Sequence, residues 1–121
     1  MKLSRYSIGA VSCIVMQCYL MNTAAAQTLA TPVITDANIA GCRGSYSLTW
    51  TPISGATYYQ LLVEYPDTTS YAPLKSVTTT DAIVHTSSLP QPTYYEVQAC
   101  NAGGCGGASA PIGLAWYTGC P

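Results

Sequence analysis

The chain has 121 residues, of which 49% are hydrophobic and only 7% are charged. This length fits one ordinary domain, and a composition rich in apolar residues and poor in charge favours folding over disorder. The formal net charge is -1, and four basic residues are too few for a surface that neutralises phosphates, so we expect no nucleic-acid partner. The basic residues are Lys2, Arg5, Arg43 and Lys75.

The first 26 residues have the pattern of a secretory signal peptide. Lys2 and Arg5 precede a mostly apolar run over residues 8–21, and small residues lead to a predicted cleavage site after Ala26. A single domain is then predicted over residues 27–121, with two of the basic residues and all five acidic ones. We therefore expect a secreted or periplasmic protein with an excess of negative charge.

Two alternatives to cleavage fit this segment less well. A membrane anchor needs about 20 apolar residues, whereas this run is shorter and contains Ser12 and Gln17. A lipoprotein signal places a cysteine directly after a Leu-small-small sequence, and neither Cys13 nor Cys18 stands in that context. We expect no membrane span once the signal is removed.

Four cysteines remain in the predicted domain, an even number that indicates a disulfide framework in a small exported chain. A zinc site is the alternative, but it needs histidine or further cysteine at ligand spacing, and the single histidine, His85, is remote in sequence. The residues alone leave the pairing open. The four cysteines are Cys42, Cys100, Cys105 and Cys120.

From residue 31 onward, short segments alternate apolar and polar residues between turn signals, which is typical of strands. The first predicted strand lies around residues 33–34. The second and third cover about residues 46–50 and 59–64 and are joined by a turn. The fourth, about residues 70–77, is interrupted by Pro73, as in edge strands, where a missing N–H costs least.

The fifth predicted strand covers residues 82–86, and the sixth, residues 93–100, has the clearest alternation. The glycines of residues 103–107 are interpreted as hairpin-loop glycines. The last strand, about residues 109–117, contains Pro111 and is also expected at an edge. Seven short strands with regularly spaced turns predict an all-β, two-sheet antiparallel sandwich. The predicted core residues are Tyr46, Leu48, Trp50, Tyr59, Leu61, Val63, Val84, Leu89, Tyr95, Val97 and Ala99.

Four segments occur in an order and spacing typical of one sandwich family. Residues 48–52 (LTWTP) and 55–59 (GATYY) are similar to its second strand, with a core tryptophan, and to the start of its third. Residues 94–101 (YYEVQACN) and 109–112 (SAPI) are similar to its sixth strand and to the start of its last. The chain thus resembles the fibronectin type III family, particularly its secreted, cysteine-containing bacterial modules. The resemblance spans about residues 31–115 and implies a seven-stranded, immunoglobulin-like antiparallel sandwich.

The resemblance also points to a departure from the family pattern. The position where the family usually has its corner tyrosine is Thr93 in this chain. We expect Tyr94 or Tyr95 to take over that role, and the sequence does not choose between them.

The family's topology further implies the disulfide pairing. It brings together the strands on either side of the last hairpin, which implies a Cys100–Cys105 bridge within reach of antiparallel neighbours. It also places the loop that contains Cys42 at the same pole as the end of the last strand. A Cys42–Cys120 bridge is the implied second pair.

No catalytic constellation is visible in the sequence. A hydrolase needs a nucleophile with a base, paired carboxylates or a metal that activates water. His85 is the single imidazole and is predicted on an outward strand face, and the acidic residues are scattered along the chain. We therefore expect no enzyme activity, no cofactor and no metal.

Tyrosines outside the predicted core form the candidate binding surface: Tyr58, Tyr65, Tyr71 and Tyr94. Amphipathic rings outside a core are common anchors of interfaces. Tyr58 and Tyr94 fall on strands that are neighbours in the family. We expect an ordinary outward pair that supports cross-strand packing there, with a cluster that binds a partner protein or stacks on sugar rings as the alternative. The resemblance implies a non-catalytic, monomeric binding module for an unknown protein partner, with a glycan partner as the alternative.

Overall fold

A computed structural model describes residues 28–119 of the chain as an all-β structure. The predicted signal peptide, residues 1–26, and Cys120 lie outside the described residues. Between residues 28 and 119 there is no helix long and apolar enough to cross a membrane. The strands are β1 (Ile34–Ile39), β2 (Ser45–Trp50), β3 (Tyr58–Glu64), β4 (Ala72–Val77), β5 (Asp81–His85), β6 (Thr93–Asn101), β7 (Gly104–Ala108) and β8 (Ile112–Leu114).

The strands form two antiparallel sheets that share one core. The smaller sheet has the order β1-β2-β5. The larger has the order β8-β6-β3-β4, and β7 also pairs with β6. The predicted antiparallel sandwich is confirmed, with one strand more than expected because the last edge is divided into β7 and β8.

Ser109 divides that edge, since it lies between β7 and β8 and still bonds to β6. Its amide donates to the Val97 carbonyl at 2.9 Å, and the Val97 amide donates to the Ser109 hydroxyl at 3.0 Å. The side-chain oxygen therefore supplies an acceptor where a continuous strand would present a carbonyl. This contact is buried and keeps both pieces of the edge attached to β6.

The glycines of β7 were expected in a loop, but Gly106 and Gly107 lie in a strand. Glycine has no side chain to alternate, so the sequence carries no period-2 signal there. A Cβ at Gly106 would stand 2.5 Å from the Leu29 carbonyl oxygen, so the strand can approach the N-terminal segment only because this residue is glycine. The hairpin itself is short, and Gly103 donates its amide to the Asn101 side chain at 2.8 Å.

The core contains the inward residues of both sheets. Tyr46 is half-buried at its margin and packs against it, and its hydroxyl donates to the Ala115 carbonyl at 2.7 Å. The prediction that Leu89 is a core residue is wrong, because it is 40% exposed. The buried residues from the predicted set are Leu48, Trp50, Tyr59, Leu61, Val63, Val84, Tyr95, Val97 and Ala99.

Leu89 is exposed because it lies in the irregular connection between β5 and β6 rather than on a strand. Its amide donates to the Ser87 hydroxyl at 3.1 Å, a local turn contact of the kind that competes with regular structure. Pro90 follows directly and removes a further backbone donor. An apolar residue in such a turn does not lie between the two sheets, so no opposite sheet covers it.

Tyr95 takes over the role of the corner tyrosine. Its ring is fully buried, and its hydroxyl donates to the His85 carbonyl at 2.8 Å. Because Tyr95 belongs to β6 and His85 to β5, the bond connects the two sheets where the chain passes from one to the other. Burial raises the pKa of the Tyr95 hydroxyl, which keeps it protonated as a donor.

The final described residues pack on the loop between β1 and β2. The predicted last strand was expected to continue to Tyr117, but β8 ends at Leu114. The Tyr117 hydroxyl then lies 2.7 Å from the Gly41 carbonyl oxygen and 2.6 Å from the Ser45 carbonyl oxygen. The chain after β8 is thereby held against the start of β2.

Two bridges were implied by the family topology, and the Cys100–Cys105 disulfide is confirmed. Cys42 is also disulfide-bonded. The Arg43 amide, one residue beyond Cys42, donates to the Gly119 carbonyl at 3.5 Å, so the end of the described chain reaches this loop. The Cys42–Cys120 pair agrees with that path and stays a prediction.

Candidate binding surface

The outward face of the larger sheet is built by the alternate residues of its two central strands. In β3 every second residue is buried, which turns the intervening residues outward. The same alternation holds in β6 from Thr93 to Ala99, whereas Cys100, the next position on the outward side, is buried. The antiparallel register pairs these outward residues across the two strands. From one end of the face to the other, the pairs are Tyr58 with Cys100, Gln60 with Gln98, Leu62 with Glu96, and Glu64 with Tyr94.

Tyr58 and Tyr94 lie on the same face and on neighbouring strands, but they are neither paired nor clustered. Tyr58 pairs with Cys100 at one end of β6, whereas Tyr94 is near its other end. Six residues at roughly 3.3 Å each separate these positions by about 20 Å. Tyr58 is half-buried beside the Cys100–Cys105 disulfide.

The middle of the face is closed by side-chain amides that bond to the sheet itself. The Gln60 amide nitrogen donates to the Lys75 carbonyl at 3.1 Å, and its oxygen accepts from the Ser76 hydroxyl at 3.0 Å. The Gln98 amide donates to the Gly106 carbonyl at 3.1 Å. These amides already have protein partners and leave little for a ligand.

The end of the face around Tyr94 is different. Tyr94 is 39% exposed. Tyr65, from the segment between β3 and β4, lines a cavity with it, and Tyr71, from the same segment, interacts electrostatically with Tyr94. A cavity of about 320 Å³ opens here. It is lined by Glu64, Tyr65, Pro66, Thr68, Gln91, Pro92 and Tyr94.

The structure thus brings three of the four predicted tyrosines together and leaves Tyr58 apart. It also brings in two carboxylates that the sequence left scattered: Glu64 pairs directly with Tyr94, and Glu96 lies diagonally across from Glu64. The register of β3 on β6 creates this arrangement, and strand alternation alone does not reveal it. We name the set Glu64, Tyr65, Tyr71, Tyr94 and Glu96 the Tyr-Glu surface.

The Tyr94 ring lies across the edge strand β8. Gly113 pairs with Tyr94, and a Cβ at that glycine would stand only 2.8 Å from the Tyr94 Cε1 atom. The ring therefore covers the backbone of Gly113 in the space that a side chain would fill. Packing on Gly113 covers part of the ring, and 39% of the residue stays exposed.

The electrostatic environment of the surface is negative. Burial raises the pKa of Glu96, and the Glu64 carboxylate raises it further. Burial and then the Glu96 and Glu64 carboxylates raise the pKa of the Tyr71 hydroxyl. Both shifts show that negative charge is concentrated and partly desolvated at this end of the sheet.

Of the two basic residues between positions 28 and 119, Lys75 has a side-chain contact away from this surface, and Arg43 has a backbone contact in a loop. The Lys75 ammonium donates to the Ile83 carbonyl, across the gap between β4 and β5. Arg43 lies in the loop between β1 and β2, where its amide bonds to the Gly119 carbonyl.

The structure shows one further side-chain pair that sequence reasoning missed. The Ser45 hydroxyl lies 2.8 Å from His85 Nδ1, on adjacent strands of the smaller sheet. A nucleophile and base of this kind also need a third group that orients the base. Asp81, the acidic residue of the same strand as His85, begins that strand while His85 ends it. Over residues 28–119, no group of three or more histidine, cysteine or acidic residues is placed to hold a metal.

The chain is therefore an antiparallel two-sheet sandwich with an exposed aromatic and acidic surface at one end of its larger sheet. More particularly, it has the fibronectin type III fold, and the resemblance seen in the sequence is confirmed at the level of the fold. No family model matches the chain, and no curated protein matches its sequence.

The fold is shared with several solved structures. A Fn3-like protein from Clostridium thermocellum has a TM-score of 0.57 at 22% identity, over 72% of this chain and 90% of its own. The FN3 domain of human collagen XX has a TM-score of 0.56 at 17% identity, over 79% of this chain and 100% of its own. A domain of human fibronectin type III domain containing protein 3 has a TM-score of 0.54 at 22% identity, covering 84% and 92%.

Proposed function

We propose that the chain is a secreted or periplasmic, non-catalytic interaction module that contacts a partner protein at the cell envelope or outside the cell. The contact is made through the Tyr-Glu surface. The observation that carries the proposal is the cavity at one end of the larger sheet, which Tyr65 and Tyr94 line and which Tyr71 lies near. The middle of the same face is closed by its own hydrogen bonds.

Two further features support this function. The fibronectin type III fold presents a rigid outer face, and aromatic rings held on such a face bind with little loss of side-chain freedom. Disulfides persist in oxidising compartments, so the bonded Cys100, Cys105 and Cys42 support an exported protein.

The test is affinity capture from envelope and medium fractions of the source cells, with mass spectrometry of the retained proteins. Wild type and Tyr94→Ala serve as bait, and Tyr58→Ala is the matched control on the same face. A partner that is retained by wild type and Tyr58→Ala but lost by Tyr94→Ala supports the proposal. The proposal is contradicted if all three baits retain the same partner equally, or if no bait retains a partner.

Carbohydrate binding is the second candidate, because the same cavity combines rings with neutral polar side chains. Tyr65 and Tyr94 supply apolar faces, and Thr68 and Gln91 supply a hydroxyl and an amide at the rim. Such a mixture suits a sugar ring, which has both an apolar face and hydroxyl groups. Reproducible signals on a glycan array that disappear with Tyr94→Ala and persist with Tyr58→Ala would favour this candidate.

A further inference from the structure

The Tyr-Glu surface has a charge pattern that specifies its partner more closely than its shape does. Glu64 and Glu96 occupy diagonal positions on neighbouring strands and are half-buried. Diagonal neighbours in an antiparallel pair are about 7 to 8 Å apart at the backbone, within reach of one another for long side chains. Two carboxylates thus share one partly desolvated area.

The Lys75 ammonium is directed across to β5, and no cation is among the causes of the pKa shift of Glu96. An incoming cation stabilises two neighbouring, partly buried carboxylates, because its charge offsets their mutual repulsion and part of the cost of their burial. Burial raises the pKa of Glu96, and the Glu64 carboxylate raises it further.

The rings select among cations. Tyr94 is fixed over Gly113 and presents its free side next to Glu64, while Tyr65 lines the same cavity. A guanidinium group is planar, so it can stack on a tyrosine face and donate two parallel hydrogen bonds to a carboxylate. A lysine ammonium is compact and strongly hydrated, and it cannot make both contacts in this way.

We propose that the Tyr-Glu surface binds an arginine-bearing segment of a partner protein, with a guanidinium stacked on Tyr94 and paired with Glu64 or Glu96. This inference rests on the proposed function and adds the chemistry of the partner to it. The charge complementarity and the paired ring and carboxylate favour a protein segment over a neutral glycan.

The test is an NMR titration of the isotope-labelled protein, expressed from the full chain, with the peptide Gly-Arg-Gly-Arg-Gly. Matched peptides replace both arginines with lysine or with uncharged citrulline. We expect the largest shifts at the backbone amides of residues 64, 65, 67–71 and 94–96. The citrulline peptide should bind at least about fivefold more weakly, and the lysine peptide should be intermediate. Binding falls as salt rises, since the pair is only half-buried.

The double variant Glu64→Gln with Glu96→Gln removes the charge of the surface. We expect it to bind the arginine peptide at least about fivefold more weakly than wild type does. The matched control is Asp36→Asn with Asp81→Asn, which removes the same charge from β1 and β5 of the other sheet. We expect the control to stay within about twofold of wild type. Thermal melting of both variants verifies that they are folded.

Three results would overturn the inference: equal binding of the citrulline peptide, unchanged affinity of the Gln variant, or an equal loss in the Asn control. The last result would indicate general charge attraction without a site. Capture of the partner protein distinguishes failure of the arginine contact from failure of the proposed function. If Tyr94→Ala loses the partner but the Gln variant retains it, the function stands and the arginine contact is wrong; if Tyr94→Ala also retains it, the function itself fails.

Discussion

Tyr94 and Tyr95 are consecutive residues of the same type, and the two faces of β6 give them opposite roles. Tyr95 is fully buried and bonded to the opposite sheet, whereas Tyr94 is 39% exposed and lies beside two carboxylates. Since successive side chains of a strand point to opposite faces, position alone decides which ring holds the fold and which can meet a partner. The inward face of β6 is the structural one, and the outward face is available for binding.

The largest expected loss of folding stability comes from removing the disulfide bonds that constrain the chain. With Cys120 as its predicted partner, Cys42 closes a long loop, and chain-entropy arguments give about 4 to 5 kcal/mol for it. The Cys100–Cys105 bridge closes a loop with a sequence separation of 5, for which the same argument gives about 2 kcal/mol. We therefore expect Cys42→Ser to lower the free energy of unfolding more than Cys105→Ser does. Urea denaturation under oxidising conditions measures both, and equal losses would contradict the assignment.

The comparison of the two faces is tested most directly by truncating each ring. Tyr95→Ala removes a fully buried aromatic side chain and should cost about 3 to 5 kcal/mol of folding stability. Tyr94→Ala removes a ring that packs on Gly113 only from one side and should cost no more than about 1 kcal/mol. Chemical denaturation provides both values. Similar losses for the two variants would mean that the outward ring is as structural as the inward one.

A smaller effect isolates the hydrogen bond that connects the sheets. Tyr95→Phe keeps the buried ring but leaves the His85 carbonyl without its hydroxyl donor, which should cost about 1 kcal/mol. The matched control, Tyr94→Phe, changes the same group on the outward face and should be neutral within about 0.5 kcal/mol. Melting curves of the two variants at one pH are sufficient. A neutral Tyr95→Phe would show that packing alone fixes the corner.

The smallest effect concerns the charge of the outward face and depends on pH. Because the pKa of Glu96 is raised in the folded protein, its contribution to stability is fully present below the ordinary pKa of 4.5. That contribution is lost as the pH rises through the raised value. Glu96→Gln should therefore match wild type near pH 3.5 and exceed it by about 0.3 kcal/mol at pH 7, the size of a like-charge contact. Melting temperatures at the two pH values test this, and a destabilised variant at pH 7 would reverse the sign.

The sequence predicts the sandwich because apolar and polar residues alternate in most of its strands. Leu48, Leu61 and Val97 each stand at an apolar position of such an alternating strand, and each is buried as expected. The strand β7 was missed because three of its five residues are glycine and have no side chains to alternate. Leu89 was misplaced because hydrophobicity does not distinguish a strand residue from one in a turn bounded by proline.

The candidate site was predicted only in part, since it depends on register and on the path of a loop. Alternation turned Tyr58 and Tyr94 outward, but their separation follows from which residue of β3 faces which residue of β6. Tyr65 and Tyr71 lie outside the strands, where no period applies, and their approach to Tyr94 depends on how residues 65–71 fold back. Neither property is encoded in residues that are adjacent in sequence.

The divided last edge limits how a second copy of the chain can pair with the larger sheet. An approaching copy extends a sheet by adding a strand along an unbroken row of free donors and acceptors. On one border of the larger sheet that row is broken between β7 and β8 by Ser109 and by Pro111, which has no N–H; on the other, Pro73 interrupts β4. Neither border of the larger sheet therefore presents an unbroken row to the strand of an approaching copy.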